Sequence, residues 1–400
     1  MRGRIVIFYS TPAFGHISAA FEIMRAYVER GYRVIFYSTE TFREAVEKTG
    51  AEYRKYDFDE SRLDLTVGNQ ILRLEDTILT FTDELTPGLL REATGIKPDM
   101  IFHDNVAMWG RVVAHTMQVP AVCINSFPTV PSFFSRGMLA YTKQFGGVLW
   151  KDFDVLPHMI KVLRNIRQKY PHVNTSMLAN TLNREQVNIV TFPKHLQPGY
   201  RSMKKNYLFT GPTLTDPDKY YGEKADSCTV KRGCIFISLG TVFQNNIRLF
   251  SSILEQFRDS EFTLLISMTR ENERKLRKKT DIPENVEIRQ FVRQGEVLDK
   301  ACLYIGAGGM NSVCQAIHRR VPCLLYPQQG EQRITSERIE GLGLGKIGTG
   351  PENIRRDAEA LLCNYHPDER IYRFFKQPDY DRLIRRVDRM LKEERCKKYW

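Results

Sequence analysis

Residues 303–316 read Leu-Tyr-Ile-Gly-Ala-Gly-Gly-Met-Asn-Ser-Val-Cys-Gln-Ala, an apolar strand that breaks into small residues and then opens a helix. A strand that feeds straight into a helix belongs to a parallel sheet with helical returns, which narrows the chain to α/β architectures. At the helix start, from Met310 onward, backbone amides point outward, Gly308 and Gly309 permit close approach, and Asn311 and Ser312 add donors. That makes an anion seat with phosphate as its guest; a Gly-Gly pair alone fits an ordinary strand-to-helix turn as well. Residues 321–332 repeat the pattern, with a second buried-type strand, a Pro turn and a polar cluster at the next helix start. Gln328, Gln329, Glu331 and Gln332 are then placed to grip hydroxyls beside the phosphate.

The amino-terminal half shows the same alternation. Arg4 to Ser10 reads as a buried strand, and after a turn at 11–15 the apolar positions Ile17, Phe21, Met24 and Val28 recur at helical spacing until Gly31. Arg33 to Tyr37 is the next strand. Such an order implies a right-handed parallel crossover, with ligands gathering at the carboxyl ends of the strands, where His16 falls. The positive end of a helix dipole disfavours imidazolium, so a histidine there stays neutral and can accept a proton. A structural cap is the plainer role for a lone histidine, so the reading needs a partner. Residues 98–104 supply it as another strand of the sheet, ending in Asp104, which can hold one ring nitrogen of His16 while the other faces an acceptor hydroxyl. Alternation points His103 to the opposite face and His115 reads as a helix residue; neither receives a role.

Residues 60–90 are loosely helical. The irregular stretch 127–150, with Phe127, Phe133, Phe134, Tyr141, Phe145 and Trp150, reads either as the wall of an apolar acceptor pocket or as plain core. Helices are expected at 151–170 and 176–183, and strands at 187–192 and 207–210. A polar, turn-rich passage then runs to Gly233, after which a second alternating set begins: strands at 234–239, 262–267 and 286–290, a helix at 247–257, and the two strands described above. Four hundred residues exceed the roughly 250 to 300 that one core supports. The expected organisation is an α/β domain at 1–212, a linker at 213–233, a second α/β domain at 234–380 and a basic helical tail at 381–400. The fold class is α/β, two Rossmann-like domains facing a cleft that holds the site.

Several classes are disfavoured. No run of about 18 apolar residues is present and the first ten residues form a strand pattern rather than a signal peptide, so stable membrane insertion is not expected and the expected location is the cytoplasm. The eight cysteines make no C-x-x-C and read as reduced packing thiols. The net charge of +12 attracts anions at long range, yet no aromatic and basic recognition motif accompanies it, so no nucleic-acid partner is expected. The triplets Asp57-Phe58-Asp59 and Asp152-Phe153-Asp154 do not follow clear buried strands, so no metal site is assigned. No G-x-G-x-x-G occurs, leaving a nicotinamide cofactor without support.

Residues 306–345, GAGGMNSVCQAIHRRVPCLLYPQQGEQRITSERIEGLGLG, resemble the donor-site signature of the family 1, UDP-glycosyltransferase-like glycosyltransferases, in the style of the bacterial macrolide-type branch. Residues 290–298 resemble the segment with which that family receives the donor's base, and the likeness extends over most of the chain. It implies the GT-B fold, a final helix crossing back onto the amino-terminal domain, and a histidine and aspartate dyad matched by His16 and Asp104. It also implies that Phe291, Val292 and Gln294 hold the base, that the loop with Ser238 and Thr241 approaches the diphosphate, and that Glu331 and Gln332 hold the sugar. The implied partners are a nucleotide sugar, with a uridine diphosphate sugar first, and a small apolar or polyhydroxylated acceptor, with no cofactor. The chain departs from the pattern at Ala307, where the family has histidine, so an unusual donor or a non-catalytic nucleotide-sugar-binding relative stays open.

Overall fold

The computed structural model describes residues 3–59, 71–129, 152–175, 185–214, 231–240 and 246–397. Thr241, the aromatic residues from Phe133 to Trp150, the helix expected at 176–183 and most of the expected linker lie outside the described residues. By contact the chain divides into two compact units, Met1–Thr215 with Pro378–Trp400, and Asp216–Gln377.

The first unit carries a seven-stranded, wholly parallel sheet in the order β3-β2-β1-β4-β5-β6-β7. Its strands are β1 (Ile5–Tyr9), β2 (Arg33–Ser38), β3 (Glu52–Lys55), β4 (Met100–Asp104), β5 (Ala121–Asn125), β6 (Val187–Val190) and β7 (Tyr207–Phe209). All five residues of β1, β4 and β5 are buried, as expected when helices cover both faces of a parallel sheet. Helix α1 (Phe14–Glu29) follows β1; α2 (Arg43–Glu47) precedes β3; α3 (Ile71–Ile96) and α4 (Met108–Thr116) flank β4. Leu85, Leu89, Trp109 and Val113 pack on Ile7, Tyr9 and Ile101. A second cluster joins Leu79 and Val112 to Val162 and Ile166 of the helix Leu156–Lys169.

The α3 helix continues through Pro87 to Ile96, further than its loose pattern suggested. Threonine hydroxyls at positions 82 and 86 bond back to the carbonyls four residues earlier, at 2.7 and 2.6 Å, within this stretch. The chain's last helix, Tyr380–Lys397, belongs to the first unit. Ile384, Val387 and Leu391 form its buried stripe, and it meets α1 through Arg30 and Asp381, 3.0 Å apart.

The second unit repeats the plan with six parallel strands in the order β10-β9-β8-β11-β12-β13. They are β8 (Cys234–Ser238), β9 (Leu264–Ser267), β10 (Val286–Arg289), β11 (Ala301–Gly306), β12 (Cys323–Leu325) and β13 (Gly345–Ile347). Ile235, Ile237, Ile266 and Ile305 pack against Phe250, Ile253, Leu254 and Phe257 of the helix Ile247–Phe257. Cys234, Cys314 and Cys323 are buried in this unit outside any disulfide, as Cys123 is in the first.

Candidate functional site

In each sheet the chain builds outward in one direction, then returns to the centre and builds the other way. The reversal falls between β1 and β4 in the first unit and between β8 and β11 in the second. Strand connections diverge at such a point and leave room at the carboxyl edge, where ligands bind in open α/β sheets. His16, Asp104, Ser238 and the turn at 306–309 lie at these two reversals.

In the first unit Asp104 ends β4 and His16 is the third residue of α1, the helix that leaves β1. Their side chains meet, with Nδ1 of His16 3.5 Å from Oδ1 of Asp104. The carboxylate is buried inside a ring of donors. Ser10 Oγ donates to Oδ2 at 2.9 Å and the Thr11 amide donates to the same oxygen. Oδ1 accepts from the amides of Val106 and Ala107 at 2.6 and 2.9 Å and from Thr11 Oγ1 at 3.3 Å. Burial alone would raise the Asp104 pKa; the facing His16 and the backbone amides outweigh it and hold the carboxyl well below the usual range. Asp104 is therefore ionised near neutrality and directs the proton-bearing nitrogen of His16 to itself, so Nε2 is the basic nitrogen of the ring. The His16 ring is 18% exposed, and Phe127 stands edge-on to it with centroids 5.7 Å apart.

In the second unit Ser238 ends β8 directly opposite Gly306 of β11. The buried Tyr304 hydroxyl donates to the Ser238 carbonyl at 3.0 Å, joining the two strand ends. Gly309 caps the helix Met310–His318 without a side chain, and a Cβ placed on Gly309 would meet open space. Asn311 and Ser312 occupy the first turn and are half-buried; Met310 is buried.

Gly308 has a different reason for being glycine from the close ligand approach expected of it. Its φ is +85°, and a Cβ there would come within 2.3 Å of Ser336 Oγ and 2.9 Å of the Gln332 carbonyl, so it lets the helix Gly330–Gly341 pack against the turn. Glu331 and Gln332 lie together in the first turn of that helix. The Gln332 side-chain oxygen accepts from the Gln328 amide at 2.8 Å, which commits it to the turn. Gln328 in turn accepts from Asn246 Nδ2 at 3.0 Å, tying the loop after β12 to the helix that follows β8.

Phe291 and Val292 follow β10 at the same carboxyl edge, and Gln294 starts the helix Gln294–Leu298. Phe291 is 60% exposed, unusual for an aromatic ring of its size. Arg293, which stands beside these residues, pairs with Glu296 at 3.1 Å. Ala307 is 2% exposed and belongs to the apolar core with Ile305, Leu324 and Tyr326. Of the two acidic triplets, Asp152 and Asp154 both face Arg73, at 3.5 and 2.6 Å.

Sequence reading did not single out Ser10, Thr11, Tyr304 or Asn246. Ser10 and Thr11 carried a signal, a polar pair at the end of a buried strand; Tyr304 carried none, because an aromatic residue inside a strand reads as core.

Among curated proteins, the NDP-glycosyltransferase YjiC of Bacillus licheniformis is 30% identical over 352 residues, covering 85% of this chain and 84% of its own length. The oleandomycin glycosyltransferase of Streptomyces antibioticus is 22% identical, over 97% of this chain and 87% of its own. Among solved structures, the kitacinnamycin glycotransferase aligns with a TM-score of 0.75 at 23% identity, over 96% of this chain and 95% of its own. The spinosyn rhamnosyltransferase SpnG, complexed with thymidine diphosphate, aligns with a TM-score of 0.67 at 15% identity, over 96% of this chain and 100% of its own. No family model matches the chain.

Two Rossmann-like domains, each built on a parallel sheet with one reversal of strand order, place the fold in the GT-B class. The chain belongs to the family 1, UDP-glycosyltransferase-like glycosyltransferases. It is thus an enzyme of sugar transfer from a nucleotide-sugar donor. Among the described residues no helix is long and apolar enough to cross a membrane.

Proposed function

We propose that the enzyme transfers a hexose from a nucleoside diphosphate donor, a uridine diphosphate sugar first, to a hydroxyl of a small natural-product acceptor, with inversion at the anomeric carbon. The observation that carries the proposal is the His16 and Asp104 contact at 3.5 Å, with Asp104 ringed by donors that keep it ionised. His16 Nε2 takes the acceptor proton as the oxygen attacks, and Asp104 stabilises the imidazolium that forms. Attack from the face opposite the departing diphosphate inverts the centre.

The start of the helix Met310–His318, Asn311, Ser312, Ser238 and Thr241 offset charge on the leaving diphosphate, a role that fixed dipoles fill without a metal. Glu331 and the Gln332 amide hold sugar hydroxyls; Phe291 stacks on the base with Val292 and Gln294 beside it. Phe127, next to His16, forms part of the acceptor wall. No cofactor enters this scheme, and a cytoplasmic site of action suits such a donor.

The core position of Ala307 favours one variation, a donor whose diphosphate is held without a ring at this point. The thymidine diphosphate bound by SpnG makes that nucleotide the first alternative to test. Transfer assayed in excess chelator, with uridine and thymidine diphosphate sugars in parallel, tests the scheme. His16→Ala should lose about 10²- to 10⁴-fold in rate while nucleotide affinity holds. A variant that keeps more than about half the rate removes His16 from the reaction.

A further inference from the structure

His103 is fully buried one residue before Asp104, and both of its ring nitrogens face oxygen. Nδ1 lies 2.9 Å from the backbone carbonyl of Asp104, and Nε2 lies 3.4 Å from Oε1 of Glu185. A carbonyl oxygen only accepts, so Nδ1 carries the proton of the first contact. Glu185, just before β6, is itself held firmly. Arg111 Nε and His115 Nε2 of α4 approach its carboxylate at 3.2 and 2.8 Å. Its carbonyl accepts from the Asn188 and Asn206 amides, each at 2.9 Å. Burial would raise the Glu185 pKa, but the facing His103 and His115 rings outweigh it and draw the carboxyl down to about 2.

Helix α4 lies against this ring. A Cβ on Gly110 would come within 2.7 Å of His103 Cβ and 2.8 Å of Tyr9 Cβ, so glycine at 110 is what brings Arg111 and His115 to Glu185. We propose that His103, clamped by Glu185, is a positioning residue: it fixes the peptide plane after Asp104 and so the aim of the Asp104 carboxylate at His16. The plane matters because the chain turns directly after it. The amides of Val106 and Ala107 in that turn hold Oδ1, the oxygen that faces His16. Rotation of the Asp104 carbonyl would carry both amides, and with them Oδ1, away from the ring. The inference rests on the pairing of His16 with Asp104.

Two substitutions at one position separate this role from mere packing. His103→Asn keeps an N–H where Nδ1 stands, so the Asp104 carbonyl retains its donor. His103→Gln reaches Glu185 but leaves that carbonyl without one. The charged and titratable groups around the ring, Glu185, Arg111, His115 and Asp104, with Cys123 and Tyr9 on the neighbouring strands, are the same in both.

With donor KM unchanged, His103→Gln should lower kcat roughly ten- to hundredfold, the scale of an ångström of misplacement, and move the acidic limb of the kcat profile to lower pH. His103→Asn should stay within about threefold of wild type on the same scale. Equal losses in both variants, tracking their thermal stability with the limb unmoved, overturn the proposal, and so does an unimpaired His103→Gln. If His103→Gln fails to fold, His103→Leu, which likewise leaves the Asp104 carbonyl without a donor, reads the same kcat and limb shifts. His16→Ala is measured alongside: its inactivity with a normal His103→Gln sinks only the positioning role, whereas full activity in His16→Ala sinks the pairing itself.

Discussion

Asp104 shows how one side chain is made fit for a single task. Every donor around it favours the ionised form, and an amide in its place would turn an NH2 group toward some of those same donors. Asp104→Asn should therefore slow transfer by about 10²- to 10⁴-fold, the loss expected when the ring is neither oriented nor compensated. Initial rates normalised to folded protein check this; an unchanged rate would make Asp104 a strand-end residue only. The meeting of His16 and Asp104 was legible in the sequence because strand ends in a parallel sheet point to one edge. The amides of Thr11, Val106 and Ala107 were not, since a backbone donor has no letter. Ala307 is a different case: the sequence raised the missing histidine as a loss at the phosphate, while the structure places the methyl in the core. Ala307→His should overpack that core at a cost of about 1–3 kcal/mol and leave nucleotide affinity no tighter. Denaturant unfolding with calorimetry of the same variant would show it; tighter binding without a stability loss would put the ring back at the phosphate.

Strands and helices followed from their patterns wherever an element buries itself against its own sequence neighbours. The small residues at 306–309 announced the strand-to-helix turn, and the reversal between β8 and β11 put it at the sheet's working edge. The last helix was harder to place. Its charge gave it the look of a solvated tail, and its docking surface on α1 lies some 350 positions away, beyond any local pattern. The docking is carried by the apolar stripe, not by the ion pair above it. Ile384 is 0% exposed, so Ile384→Ala should cost about 2–5 kcal/mol through a cavity that the helix fills incompletely. Asp381 is 67% exposed, and removing its contact with Arg30 should cost under about 1 kcal/mol. Urea unfolding of the two variants side by side decides which contact holds the helix; a larger loss from Asp381→Ala would reverse the assignment.

For the molecule as a whole, the same α/β plan serves twice, with the proposed proton-accepting pair in Met1–Thr215 and every described candidate donor residue in Asp216–Gln377. Each unit has its own parallel sheet and apolar core, so nucleotide binding should act on the second unit in the first instance. A ligand that binds only the folded state adds stability as the logarithm of its concentration over Kd, about 2.7 kcal/mol at a hundredfold excess. Uridine or thymidine diphosphate should therefore raise the melting transition assigned to Asp216–Gln377, and raise it equally in wild type and His16→Ala, whose change lies in the other unit. The nucleotide with the larger shift identifies the donor class. Phe291→Ala should remove most of the shift, since base stacking on an aromatic ring contributes about 1–3 kcal/mol and this ring is 60% exposed. Added salt should shrink the shift as well, because a chain of net charge +12 attracts a diphosphate partly at long range. Scanning calorimetry over a nucleotide series reads all of these together. A full shift in Phe291→Ala would move the base elsewhere on the carboxyl edge, and a shift abolished in His16→Ala would break the division of labour between the two units.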